Sequence, residues 1–317
     1  KPRLWITRLL SDATIERANR DYDTVVNYDD TPGSADDLIA ASAEFDAIIP
    51  CHSEHFSAEV AAKLDPRLKI IANHSVGVDH CDLPALKARG ITITNTPDVL
   101  SDATAEIAML LMLGAARHAV AGDRIVRTGE WNNWSPSFMV GKQMTGARLG
   151  IVGMGRVGQA FAAKARGFDM DIHYYNRSQL AAGLEQDATY HDTIESLLGV
   201  ADFLSLHCPA TPETTDLMND ARFGMLPDGA IVVNTARGAL IDENALMKAL
   251  DSGKVSAAGL DCFKVEPGGN PGFAKYENIF MLPHIGSATK KTRDAMGFRA
   301  LDNLDAFFSG ETPGDML

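Results

Sequence analysis

Short apolar, β-branched runs recur along the chain, separated by stretches in which apolar residues return at helical spacing. In the first part, Leu4–Thr7, Thr24–Tyr28, Ala47–Pro50, Lys69–Asn73 and Ile91–Asn95 read as strands. Stretches near Ala13–Asn19, Ala35–Ala41, Ala58–Leu64 and Leu83–Arg89 between them read as helices. This alternation predicts a small parallel α/β unit. Asp102 is the predicted cap of a long helix toward Arg117, and a further helical stretch reaches Arg127. The run Ile107 to Ala116 reads as a helix buried on most sides and is far short of the roughly 20 residues that span a bilayer. A second series starts at Arg148 and continues through Phe203–Cys208, Ala230–Thr235, Ala257–Asp261 and Ile279–Leu282. Thr289 to Phe308 reads as a helix with Met296, Leu301, Leu304 and Phe308 on one face. The expectation is two doubly wound domains with a ligand in the crevice outside the carboxyl ends of their strands.

Composition narrows the class. A chain of 317 residues exceeds one ordinary core, and 45% hydrophobic with 22% charged residues is a globular balance. The net charge of −13 argues against a nucleic-acid partner and against anionic membranes. An anionic substrate would then need locally placed arginine or lysine. Cys51, Cys81, Cys208 and Cys262 are widely spaced, so small buried hydrophobes in a reducing cytoplasm are expected rather than a disulfide framework. The chain opens Lys1-Pro2-Arg3 straight into a strand, without a secretory pattern. No His, Cys or carboxylate cluster has metal-ligand spacing, and no metal is expected.

The segment from Arg148 to Ser178 carries the clearest chemistry. A buried-type strand, Arg148 to Val152, leads into Gly153-Met154-Gly155-Arg156-Val157-Gly158, a complete GxGxxG. Gln159 to Gly167 follows as a helix, with Ala160, Phe161, Ala163 and Lys164 at helical spacing. The first glycine permits the sharp turn, the second lets backbone approach a pyrophosphate, and the third lets helix and strand pack closely. The pyrophosphate would sit at the helix N-terminus, where unpaired N–H groups and the helix dipole favour anions. A second strand, Asp171 to Asn176, ends eighteen residues past Gly158 at Asn176, followed by Arg177 and Ser178. NAD sites place Asp or Glu there for the ribose 2′-hydroxyl. An uncharged amide followed by a guanidinium and a hydroxyl fits a 2′-phosphate instead, which points to NADP.

Past the ends of the later strands stand one arginine, one carboxylate and one histidine. Arg237 lies in Thr235-Ala236-Arg237-Gly238, Glu266 in Cys262 to Pro267, and His284 in Pro283-His284-Ile285-Gly286-Ser287. That set suits hydride transfer to a 2-oxo acid. Arg237 can hold the substrate carboxylate and polarise the carbonyl. His284 can protonate the oxygen as hydride arrives at carbon, with Glu266 orienting the imidazole and favouring its cation. His52 and His55 read as loop bystanders, and Cys208 as packing.

With these motifs the chain resembles the D-isomer-specific 2-hydroxyacid dehydrogenases over nearly its whole length. The matching segments are Asn73 to His80, Asn95 to Leu100, the glycine turn, Thr235 to Gly238, Glu266-Pro267 and Pro283 to Thr289. Within the family it is most similar to glyoxylate/hydroxypyruvate reductases, through Ser75–His80, Pro97–Leu100, Trp131-Asn132-Asn133-Trp134 and Asn176-Arg177-Ser178. The resemblance implies NADPH-dependent reduction of glyoxylate and hydroxypyruvate to glycolate and D-glycerate, in a cytoplasmic homodimer. It implies a catalytic set of Arg237, Glu266 and His284, with Val76-Gly77 backbone at the substrate carboxylate. It makes Asp261 an acceptor for the nicotinamide carboxamide. It places Thr104, Cys208-Pro209, Thr235-Ala236 and Gly286 along the cofactor, and Trp134 near a partner's active site. It also implies a flavodoxin-like substrate domain of residues 1–98 and 287–317, and a Rossmann-type cofactor domain of residues 99–286, with the cleft between. Another 2-oxo acid, or a dinucleotide-sensing binding protein of the same fold, are the alternatives. The loop Cys51–Glu54 carries no arginine or lysine, which disfavours phosphoglycerate.

Overall fold

The computed structural model describes all residues from Lys1 to Leu317. The chain forms two compact units, Lys1–Leu100 with Ser287–Leu317, and Ser101–Gly286.

In the first unit β1 (Arg3–Ile6), α1 (Asp12–Asp21), β2 (Asp23–Val26), α2 (Ala35–Ser42), β3 (Ala47–Ile49), α3 (Ala58–Lys63), β4 (Ile70–Ala72), α4 (Leu83–Ala88) and β5 (Thr92–Thr94) alternate. The five strands are parallel in the order β2-β1-β3-β4-β5, the flavodoxin-like arrangement. Successive residues of a strand face opposite sides, so its apolar run splits between two cores. Ile48, Ile71 and Ile93 face one cluster with Leu38, Val60 and Leu86. Leu4, Ile6, Ile49 and Ile70 face the other, with Ile15, Leu301 and Leu304.

The second unit begins with α5 (Ser101–Ala116) and α6 (Ala119–Arg127), then β6 (Arg148–Val152), α7 (Arg156–Arg166), β7 (Asp171–Tyr175), α8 (Ala182–Glu185) and β8 (Thr189–His191). It continues through α9 (Ile194–Leu198), β9 (Phe203–Leu206), α10 (Asp220–Met225), β10 (Ala230–Asn234), α11 (Glu243–Asp251), β11 (Val255–Leu260) and β12 (Ile279–Met281). Its seven parallel strands run β12-β11-β10-β9-β6-β7-β8, the doubly wound Rossmann order extended by one strand. Ile151, Phe203, Val233 and Ala257 pack one face with Leu111 and Phe161. Val152, Leu204, Val232 and Ala258 pack the other with Leu197, Phe223 and Leu246. The order reverses between β6 and β9, so the loops after these strands flank the switch point. The final helix, α12 (Lys290–Phe308), belongs to the first unit.

Three local expectations are corrected. The long helix α5 starts at Ser101, which puts Asp102 inside its first turn rather than at the cap, where it accepts from Lys164 Nζ at 2.8 Å. The same helix is buried on most sides, as its apolar run implies, with Leu110 and Leu113 exposed. Helix α7 starts at Arg156 and buries Phe161, Ala162 and Ala165, while Ala163 is exposed and Lys164 only partly buried. Strand β8 was not expected: it is a three-residue sheet edge, Thr-Tyr-His, without an apolar run. No single helix is long and apolar enough to cross a membrane; α5 and α6 reach that composition only jointly and are bent by 68° at their break.

Candidate active site

The three glycines of the turn have separable physical causes. Gly153 has φ +96°, in the left-handed region, and a Cβ there would stand 2.5 Å from the Cys208 backbone nitrogen. The turn after β6 is therefore pressed against the loop after β9, at the switch point. At Gly158 a Cβ would stand 2.3 Å from the Gly153 carbonyl oxygen, so α7 packs on the turn only because that atom is missing. Gly155 is different: a Cβ there would meet nothing within 4 Å. Nothing inside the protein demands glycine at this position, the N-cap of α7. The space left there lies against the first turn of the helix.

Asn176 turns inward. Its Oδ1 accepts from Met154 N at 2.7 Å, which fixes the glycine turn against the end of β7. The side chain expected beside the ribose thus also clamps the loop. Arg177 and Ser178 are exposed next to it, and Arg177 helps hold the Glu213 carboxyl below its usual range, after the nearer hydrogen bonds to that group. Cys208 is partly buried and burial pushes its thiol up to about 11, a packing thiol rather than a nucleophile. Next to it the His207 ring is turned inward, with Nε2 2.8 Å from Ser205 Oγ and its ring against Phe161. Burial pushes His207 down from 6.5 to about 3. The unfolded chain therefore binds a proton that the folded chain refuses between those values. Stability is complete above about pH 6.5 and declines as the pH falls toward 3, at up to about 1.4 kcal/mol per pH unit for this group. In the first unit, burial likewise depresses His74 to about 4. The melting temperature should fall between pH 7 and pH 4.5, and His207→Leu should make that slope shallower.

The loops after β10, β11 and β12 carry the remaining candidates. Arg237 follows β10 and its Nη1 donates to the Ala236 carbonyl at 2.8 Å. Glu266 receives the Phe263 N–H on Oε1 at 2.7 Å, and its Oε2 lies 2.5 Å from His284 Nδ1. That short contact orients the ring with Nδ1 as donor. His284 itself sits at φ +54°, a left-handed conformation that few residues other than glycine adopt. Asp261 stabilises the residues beyond it: Oδ1 accepts from Ile285 N at 2.8 Å and Oδ2 from Gly286 N at 2.7 Å. Asp261 is buried, and desolvation raises its pKa against the pull of these hydrogen bonds. Thr104 on α5 lies beside the same loop, since a Cβ on Gly286 would stand 3.1 Å from Asp261 Oδ2 and 3.3 Å from Thr104 Cγ2. Thr235 Oγ1 is buried without a hydrogen-bond partner. The loops after β10 and β11 touch through backbone, because a Cβ on Gly238 would stand 1.9 Å from the Phe263 carbonyl carbon.

Glu266 and His284 are thus joined directly, and Arg237 is fixed to their loop through the contact of Gly238 with Phe263. Val76 and Gly77 lie in the first unit, on the loop after β4, where Asn95 Nδ2 donates to the Val76 carbonyl at 2.8 Å and Ser75 Oγ to that of Gly77 at 2.7 Å. Trp134 is on the irregular segment after α6, 72% exposed, and makes no hydrogen bond or ring contact with the other candidates. Two residues escaped the reading of the sequence. Buried Glu54 ties the loops after β1 and β3 by accepting from Thr7 Oγ1 (2.6 Å), Cys51 N (2.8 Å) and Ser53 Oγ (2.7 Å). Arg8 reaches that same loop, with Nη1 donating to Ser53 Oγ at 2.8 Å and Nε paired to Asp30 at 2.9 Å. The loop therefore does have a cation beside it, supplied from β1 and invisible in the local sequence.

The arrangement fits a nicotinamide dinucleotide. Open space at Gly155, the N-terminus of α7 and the orphaned Thr235 hydroxyl are features a bound dinucleotide would use. Residues 109–286 match the family model described as D-isomer specific 2-hydroxyacid dehydrogenase, NAD binding domain. The chain belongs to the D-isomer-specific 2-hydroxyacid dehydrogenase family. As a member of it, the protein is an NAD(P)-dependent D-2-hydroxyacid dehydrogenase. It is 43% identical to a glycerate dehydrogenase of Hyphomicrobium methylovorum, over 98% of this chain and 97% of that one. It is 40% identical to a glyoxylate reductase of Pyrococcus horikoshii, over 100% and 96% of the two chains. Among solved structures of such dehydrogenases, it is similar to an NADPH-dependent glyoxylate/hydroxypyruvate reductase of Sinorhizobium meliloti, crystallised with NADP and malonate. That likeness has a TM-score of 0.88 at 30% identity and covers 100% of this chain and 96% of that one.

Proposed function

We propose that this dehydrogenase reduces glyoxylate and hydroxypyruvate to glycolate and D-glycerate with NADPH, and that His284 is its general acid. The observation that carries the reading is the 2.5 Å contact of His284 Nδ1 with Glu266 Oε2, on the strand-end loops next to the one that carries Arg237. The names of the relatives at 40% and 43% identity support the substrate pair. When bound, the reduced dinucleotide supplies the hydride. Arg237 binds the carboxylate of the 2-oxo acid with its planar fork and draws charge toward the carbonyl oxygen. Glu266 holds the Nδ1 proton and stabilises the imidazolium. His284 Nε2 then delivers its own proton to that oxygen as the alkoxide charge develops.

In the same reading, residues 1–98 with 287–317 form the substrate domain, with Val76 and Gly77 N–H groups at the carboxylate, and residues 99–286 form the cofactor domain. Gly153 to Gly158 hold the pyrophosphate. Thr104, Cys208-Pro209, Thr235-Ala236 and Gly286 line the dinucleotide, and Asp261 accepts from the carboxamide with lone pairs left over from Ile285 and Gly286. Exposed Leu110, Leu113, Val126, Trp131, Trp134 and Val140 support a homodimer. Four free cysteines support a cytoplasmic location.

Initial rates on glyoxylate, hydroxypyruvate, pyruvate and phenylpyruvate, each with NADH and NADPH, test the substrate and the cofactor together. Faster turnover of pyruvate or phenylpyruvate, or a preference for NADH, would overturn the corresponding half. Arg177 carries the cofactor preference. Arg177→Ala is expected to weaken NADPH by about tenfold to a hundredfold, as the loss of a hydrogen bond to a charged group does, with NADH little changed. Equal losses for both cofactors in a fluorescence titration would count against a 2′-phosphate clamp.

A further inference from the structure

Asn234 closes β10 in the middle of the seven-stranded sheet and is fully buried. Every polar group it owns beyond the strand is directed at a loop that carries a candidate. Its Oδ1 accepts from Ala236 N at 3.0 Å and its Nδ2 donates to the Arg237 carbonyl at 2.8 Å. Its own carbonyl accepts from Asp261 N at 2.9 Å, and Cys262 Sγ lies 3.6 Å from it. Side chain and main chain thus join the Arg237 loop to the loop that leads to Glu266, at the point where Gly238 meets Phe263.

We propose that Asn234 is the positioning residue for Arg237. The proposal rests on the reading of Arg237 as the group that binds the substrate carboxylate. A carboxylate fork works only if the guanidinium arrives in register, and an arginine side chain is long enough to drift if its Cα does. Here the turn that holds this Cα is closed by one buried amide used at both ends. Only an amide offers an acceptor and a donor with that spacing. Aspartate keeps the acceptor but sets a second acceptor against the Arg237 carbonyl. Serine cannot reach both partners. The dinucleotide residues on the other side of the switch point, Gly153 to Gly158 and Arg177, are held by Asn176 and by helix packing instead, so Asn234 meets the cofactor side only at Ala236 N and most of that site stands independently of it.

The test uses the full-length enzyme, with Asn234→Ser, Asn234→Asp and Arg237→Lys, and measures KM and kcat for glyoxylate and the dissociation constant of NADPH. Asn234→Ser is expected to raise KM by about tenfold, the loss of one or two buried hydrogen bonds, with NADPH affinity within about twofold of wild type. In the Arg237→Lys background the same substitution should add less than about threefold, because the register it protects is already lost. Asn234→Asp is nearly isosteric and guards against a folding defect. Its KM relative to wild type should rise with pH as the introduced carboxyl ionises and loses its donor. An equal fold-change in both backgrounds, a parallel loss of NADPH affinity, or a wild-type KM in both Asn234 variants would overturn the proposal. Arg237→Lys with wild-type KM would instead overturn the reading of Arg237, and this proposal with it.

Discussion

His284→Gln is expected to lower kcat by about a hundredfold to ten-thousandfold, the range that a positioned acid contributes, while NADPH affinity stays within about twofold. Glutamine can still donate a hydrogen bond toward a carbonyl oxygen, but it has no proton to give up. The substitution therefore separates polarisation from proton transfer. The His284 ring is held by Glu266 at 2.5 Å and its loop is secured by Asp261, so the backbone has its own supports and the exchange should leave the fold intact. Stopped-flow oxidation of NADPH reads the chemical step, and a fluorescence titration reads the cofactor. A variant with wild-type kcat would remove His284 from the acid role.

Arg237→Gln is expected to lower kcat/KM for glyoxylate by about a hundredfold or more, corresponding to 2–5 kcal/mol for removing one partner of a buried charge pair. Most of the loss should appear in KM, because the carboxylate is bound in the ground state as well as in the transition state. Arg237→Lys should fall between: the charge is kept, but a point cation cannot fork onto two oxygens. The signature that distinguishes this from a folding defect is an unchanged NADPH dissociation constant. A KM near wild type in Arg237→Gln would place the carboxylate elsewhere.

Arg237 and Glu266 stood out in the chain because their strands did, whereas β12, before His284, is short and ends exposed. Val232 to Asn234 and Ala257 to Leu260 are buried on both faces, so they read as continuous apolar runs and mark their own ends, where loop residues become conspicuous. The glycine turn was legible for a related reason, since backbone constraints at Gly153 and Gly158 leave a fixed spacing. What was hidden depends on partners distant in sequence. That Asn176 also clamps the turn shows only once Met154 N, twenty-two residues earlier, is seen to use its oxygen. Arg8 belongs to the loop of Ser53 only once β1 and β3 lie side by side. Asn234 reads as the tail of a strand, because its clamp on Ala236 and Arg237 is a matter of side-chain direction. Strand β8 was hidden by its polar residues, which a sheet edge tolerates and a central strand does not.

Two of the turn's glycines answer to the protein and one does not. Selection for a well-folded chain alone would hold Gly153 and Gly158 fixed, because added atoms there collide with backbone. It would let Gly155 drift, since an added methyl group finds empty space. A library at these three positions, sorted once for expression and once for retention on an immobilised dinucleotide, would therefore split. The first sort would recover glycine at two sites, and the second at all three. Position 155 is where the demands of folding and of ligand come apart.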